Sequence, residues 1–298
     1  MEAERIQKIL ARAGYGSRRQ VERWMEQGEV IVNGKVASLG QKITDQDEVI
    51  LRGQKLRLSS RLNGVSKVLL YHKRVGEICT RDDPEGRKTV FESLPEIKPG
   101  RWISIGRLDI NTDGLLLFTN DGELANKLMH PSSEIEREYA VRVLGEVTGD
   151  MLKLMQNGVM LEDGLAHFDN IRFAGGEGAN QWYHVTLKEG RNREVRRLWE
   201  SQGVTVSRLR RVRFGNIALD RSLRAGQFEE LSVKRMYKLY ESVGLEFTPP
   251  VGMEKDREKT PAKKHGKKRG YNNSTNSPYG KAKKHSRHAG KKKKNPWG

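Results

Sequence analysis

The residues best suited to chemistry fall in a few short stretches. Gly106-Arg107-Leu108-Asp109-Ile110-Asn111-Thr112-Asp113-Gly114 joins two apolar segments and places Asp109 at its centre. A carboxylate on such a loop reads either as a turn cap or as a site residue. Tyr139, within Glu136-Arg137-Glu138-Tyr139-Ala140-Val141, reads either as a packed strand aromatic or as a ring offered to a ligand. In Gly190–Trp199, helical spacing puts Val195, Leu198 and Trp199 on one face and turns Arg193 and Arg197 away. Arg196 then lies about 100° from Val195, at the margin of the buried stripe. There its stem can pack on apolar neighbours while its head reaches a half-buried carboxylate. Residues 191–213 hold eight arginines and no lysine. Planar two-pronged contacts to phosphate or base edges favour that choice, with Arg191, Arg193, Arg208, Arg210 and Arg211 as candidates.

Other chemistries find little support. The single cysteine, Cys79, excludes an internal disulfide and any cysteine-based metal cage. His72, His130, His167 and His184 show no metal-ligand spacing, so no metal is expected. Gly175-Gly176-Glu177-Gly178 lacks the following Lys-Ser/Thr of a phosphate loop. No nucleotide or flavin motif is present, and no cofactor is expected.

The elements that must position these residues are legible in outline. Ile6, Ile9, Leu10 and Ala13 follow helical spacing, and Gly14–Gly16 ends that helix. Ser17 with Gln20 is a capping-box signature for a second helix, with Val21, Trp24 and Met25 as its apolar stripe. Val30–Val32 followed by Asn33-Gly34 predicts a hairpin, with a further strand at Glu48–Leu51. Residues 53–66 are polar and aperiodic and read as a linker, its core at 61–66. Beyond it, strands are expected at 68–71, 102–105, 115–119, 139–144, 182–187 and 207–214. Helices are expected at 122–129, 150–156, 192–201 and 232–243. More strands than helices, joined by short turns, predict an α+β fold with a mixed, mainly antiparallel central sheet flanked by helices.

Two resemblances sharpen this reading. Residues 3–60, with Arg12, Arg18 and Arg19 around the turn between two short helices, resemble the S4 RNA-binding domain. That likeness implies RNA contact by those arginines, whose forks suit phosphate oxygens. The run Gly106–Gly122 (GRLDINTDGLLLFTNDG) resembles the catalytic motif of pseudouridine synthases, in the S4-containing ribosomal branch of the RsuA/RluB type. The resemblance implies a synthase domain over 67–247 and makes Asp109 the catalytic aspartate, Tyr139 the ring that stacks on the target uracil and Arg196 the partner of Asp109. Arg107 is then placed to hold the backbone of the flipped nucleotide. GEICTRDDPEGRKTVFE and GGEGANQWYHVTLKEGRNREVRRLWE resemble, within that branch, its large-subunit members, and that resemblance implies a uridine of 23S ribosomal RNA, or large-subunit assembly intermediates, as substrate. A non-catalytic S4-containing assembly factor, or the same reaction on small-subunit or transfer RNA, are the competing readings.

Charge and hydropathy agree with a polyanionic partner. The 298-residue chain has a net charge of +18, and residues 251–298 hold 16 basic against 3 acidic side chains. The Lys-rich segment 248–298 is expected to be disordered, because it has almost no aliphatic side chains to bury. No apolar run approaches a membrane span, and the amphipathic start lacks a signal core. A cytoplasmic protein, acting as a monomer and without membrane contact, is expected. Deleting residues 251–298 should weaken RNA affinity and flatten its dependence on salt while single-turnover chemistry persists, because counterion release scales with phosphates neutralised. Binding titrations across a salt series check this; an unchanged salt slope would refute it.

Overall fold

The structure, a computed structural model, describes residues 2–62 and 64–249. The segment from 250 onward, which holds most of the expected tail, lies outside the described residues.

The N-terminal part comprises β1 (Glu4–Arg5), α1 (Ile6–Arg12), α2 (Arg18–Glu26), β2 (Val30–Val32), β3 (Lys35–Val36), β4 (Lys42–Ile43), β5 (Val49–Leu51), β6 (Gln54–Lys55) and α3 (Leu58–Leu62). Ser17 and Gln20 form the expected capping box: the Gln20 N–H donates to Ser17 Oγ, and the Ser17 N–H donates to Gln20 Oε1. Ile6, Ile9 and Leu10 of α1 meet Val21, Trp24 and Met25 of α2 in one apolar cluster with Val30 and Val49. Asn33 and Gly34 both take positive φ, as a tight hairpin turn between β2 and β3 requires.

The segment read as a linker is more ordered than its polarity suggests. β6 pairs with β5, and Leu58 of α3 is buried in the N-terminal core. A helix of five residues gives too short a periodic pattern to be recognised without its tertiary contacts.

The larger part is built on β7 (Val68–Lys73), β8 (Ile103–Ile105), β9 (Asp113–Thr119), β10 (Arg137–Leu144), β13 (Asn170–Glu177), β14 (Asn180–Leu187), β15 (Thr205–Phe214), β16 (Ile217–Ala218) and β17 (Phe228–Glu230). Between them lie α4 (Gly122–Met129), α5 (Gly149–Asn157), a hairpin of β11 (Val159–Leu161) and β12 (Gly164–Ala166), α6 (Glu194–Glu200) and α7 (Val233–Glu241). The main sheet runs β13-β14-β10-β15-β9-β7-β17, with β8 on β9 and β16 on β15. Only the β15–β9 pair is parallel; the fold is α+β with a mixed, mainly antiparallel sheet. β11–β13 were not foreseen, and the glycine-rich run 175–178 closes the β13–β14 hairpin.

Both faces of the sheet are covered, which explains the unbroken apolar run of β9. Leu116 and Phe118 join Leu69, Tyr71, Val141, Leu198 and Trp199 on one face. Leu115 and Leu117 face the other way, with Leu124 and Leu128 of α4 and Leu239 of α7. The parallel pair depends on one glycine. Gly114 has φ +107°, and a Cβ there would lie 2.3 Å from the Arg211 carbonyl oxygen across the β9–β15 junction. Gly114→Ala should therefore destabilise the fold by about 3 kcal/mol or more, combining backbone strain with a main-chain clash. Urea unfolding reads this, and an unchanged midpoint would contradict it.

Candidate active site

The register of three strands brings the sequence-predicted residues together. Arg211 of β15 lies opposite Tyr139 of β10 on one side and Gly114 of β9 on the other. The Gly106–Thr112 loop leads directly into β9, so Asp109 and Tyr139 come to line one cavity of about 980 Å³. Arg107, Arg191 and Arg193 also line it. Tyr139 is 9 % exposed and Asp109 is half-buried.

The loop is held by its carbonyl groups. Lys73, at the end of β7, is fully buried, and its ammonium donates to the carbonyls of Arg74 (2.9 Å), Asp109 (3.0 Å) and Thr112 (2.9 Å). All three of its donors are used, which is what makes a buried ammonium tolerable. Burial pushes the Lys73 ammonium down, against the attraction of Cys79, Glu77, Asp113 and Asp109. Within the loop the Thr112 N–H donates to the Asp109 carbonyl at 3.0 Å. Cys79 adds a further tie: the Leu108 N–H donates to its sulfur, and its thiol donates to the Leu108 carbonyl. Lys73 is a residue of this loop's anchorage that the sequence reading missed; a lysine ending an apolar strand gives no local signal of three tertiary acceptors.

Arg196 reaches the same loop by a different contact from the one expected. Its Nη2 donates to the Asn111 carbonyl and its Nη1 to the Val206 carbonyl, each at 2.9 Å. No ion pair between Arg196 and Asp109 occurs among the described residues; the guanidinium grips the loop backbone, and Asp109 acts on it only as a neighbouring charge. Burial is the largest influence on Arg196 and pushes it down, Arg193 adds to that, and Asp109 opposes both. Arg196 itself is 7 % exposed, at the buried margin of α6 where helical spacing placed it.

The arginines proposed for RNA contact separate into two groups. Arg12 pairs with Glu4, Arg193 with Glu200, Arg191 with Glu189, and Arg210 with both oxygens of Asp113. Arg18, Arg19, Arg107 and Arg208 are exposed and have no carboxylate within ion-pair distance among the described residues. Arg211 is not a surface residue at all. It is 2 % exposed, donates through Nε to the Leu115 carbonyl, and lies over the Phe214 ring, which Arg137 also faces.

Comparisons with known proteins identify the family. The profile of the RNA pseudouridylate synthase family matches residues 67–201, and that of the S4 domain matches residues 4–49. With this site and this mixed sheet, the chain belongs to the RNA pseudouridylate synthase family and is an isomerase with an N-terminal S4 domain. It is 57 % identical over 258 residues to the ribosomal large subunit pseudouridine synthase B of Pseudomonas aeruginosa, covering 86 % of this chain and 67 % of that protein. It is 54 % identical to the protein of the same name from Yersinia pestis, covering 87 % of this chain and 83 % of that one. A crystal structure of a pseudouridylate synthase aligns with a TM-score of 0.56 at 25 % identity, over 79 % of this chain and 99 % of that one.

Asp82, Asp83 and Glu194 also line the cavity, and Glu194 is the buried one. Glu194 is 3 % exposed and accepts the Arg191 N–H at 3.1 Å. Burial pushes it up from 4.5 to about 7, against the Arg191 N–H and helped by Glu189. The folded chain thus holds a proton that the unfolded chain releases, so this group lowers stability as pH rises from about 4.5 to about 7. Glu194→Gln removes that loss, worth up to about 3 kcal/mol at neutral pH. Melting temperatures of both proteins between pH 5 and about 8 should diverge with rising pH; parallel curves would contradict the assignment.

Proposed function

We propose that this protein isomerises a uridine of 23S ribosomal RNA to pseudouridine, with Asp109 as the catalytic carboxylate and the target base turned out of the RNA into the cavity. The observation that carries the reading is the placement of Asp109 and Tyr139 on one cavity rimmed by arginines. The names of the relatives supply the large-subunit substrate. Residues 3–60 act as the RNA-binding domain in this reading and residues 67–247 as the synthase.

The reaction breaks the N1–C1′ bond, rotates the uracil within the site and joins C5 to C1′. The C5 proton is lost and N1 gains one, so no group is imported and no electrons are exchanged. A base within RNA structure must leave its stack before any side chain can reach C1′ or C6. The Asp109 carboxylate then attacks C1′, attacks C6 or takes the 2′ proton. Arg196 supplies positive charge as negative charge develops on the departing uracilate. Tyr139 presents a ring for stacking and a hydroxyl for proton relay. Arg107, exposed at the cavity mouth, holds the backbone of the everted nucleotide.

Asp109→Asn removes an anion and little contact area. Tritium release from 5-tritiated uridine in 23S RNA should fall by at least about 10³-fold, in line with the loss of a central catalytic group. RNA affinity should stay within about threefold, well under 1 kcal/mol. Normal release by the variant would overturn the assignment of Asp109. Release by the wild type from small-subunit or transfer RNA alone would overturn the substrate.

A further inference from the structure

A second cationic cluster lies where the S4 part meets the synthase part. The turn between α1 and α2 packs on the loop before β8: a Cβ added at Gly14 would lie 2.7 Å from the Gly100 Cα. Arg101 follows that contact directly, and Arg18 opens α2 four residues beyond Gly14. Arg81 joins them from the other side. Its guanidinium lies 4.2 Å from the Phe91 ring centroid and donates to the carbonyl of Trp102, the neighbour of Arg101. Trp102 is fixed in turn by its indole N–H on the Pro95 carbonyl at 2.7 Å.

These cations are not neutralised. Among the described residues none of the three forms an ion pair, and the Nε of Arg101 is buried without an acceptor. Arg101 is pushed down by burial first, then by Arg81 and by Arg18. Guanidinium groups held together without a carboxylate cost folding free energy, and an arriving anion relieves that cost. Arg81 also lines the cavity that holds Asp109, so the cluster sits at the cavity's rim.

We propose that Arg18, Arg81 and Arg101 form a phosphate subsite that takes one backbone phosphodiester of the RNA strand running from the S4 domain to the target uridine. It rests on the reading of the protein as an RNA-modifying enzyme and adds a bridging contact between its two parts. Planar forks from three sequence-distant segments lie within electrostatic reach of one another, which suits a tetrahedral anion with several acceptor oxygens. Arg81 is held by the Phe91 ring and the Trp102 carbonyl.

The test uses the full chain and a 23S RNA fragment that the wild type modifies. Arg18→Gln and Arg101→Gln should each raise Kd about tenfold, and each should lower the slope of log K against log salt by about one. Because both side chains serve one phosphate, the double variant should lose less than the product of the single losses. Arg101→Lys should recover most of the salt slope, since the unit positive charge is kept, but not the full affinity, since the planar fork is lost. Strictly multiplicative losses, or salt slopes equal to that of the wild type, would overturn the subsite. The exposed Arg18→Gln keeps the test valid even if changes at Arg101 disturb folding. A wild type that modifies no RNA would instead sink the functional reading itself, which separates the two failures.

Discussion

The interaction on which the site depends is the capture of one loop by its backbone carbonyls. Lys73 and Arg196 are buried cations, and both could have paired directly with a carboxylate. Instead they donate to the carbonyls of Asp109, Thr112 and Asn111. The loop is therefore fixed through its main chain while the Asp109 side chain stays available to the cavity. A direct pair would have consumed the carboxylate oxygens that a ligand needs.

The sheet makes that capture possible. β7, β9 and β15 are adjacent, so Lys73 at the end of β7 and the loop entering β9 share one end of the sheet. The parallel β9–β15 contact brings Arg211 against Gly114, and β10 on the far side of β15 adds Tyr139. Residues distant in sequence thus meet because three strands run in a particular order. Packing on both faces stiffens this platform, and a stiff platform is what a geometry-sensitive reaction needs.

The sequence disclosed elements with strong local signals and hid those made by tertiary contact. The capping box at Ser17, the α4 boundaries and the apolar β9 were legible because cap chemistry and periodicity are local. α3 and β11–β13 were not: the first is five residues long, and the others are short or glycine-rich. Arg196 could be singled out from its angle on the helix, yet its acceptors could not, since Asn111 lies 85 residues away. The arginines expected to contact RNA show the same limit. Composition marked residues 191–213 as arginine-rich, but only the structure shows that Arg210 is engaged by Asp113 and Arg211 is inside the fold.

The remaining positive charge is present on both parts of the molecule. Exposed arginines lie on α2, at the cavity mouth and on β15, while the cavity floor holds the group proposed to react. The central claim is that an everted uridine occupies that cavity above Asp109. A crystal structure of the Asp109→Asn variant bound to a 23S RNA fragment tests it most directly. The account predicts an extruded uracil stacked on Tyr139, with its C1′ or C6 within about 3.5 Å of the side chain at position 109. A target base still stacked in the RNA, or seated away from this cavity, would contradict it.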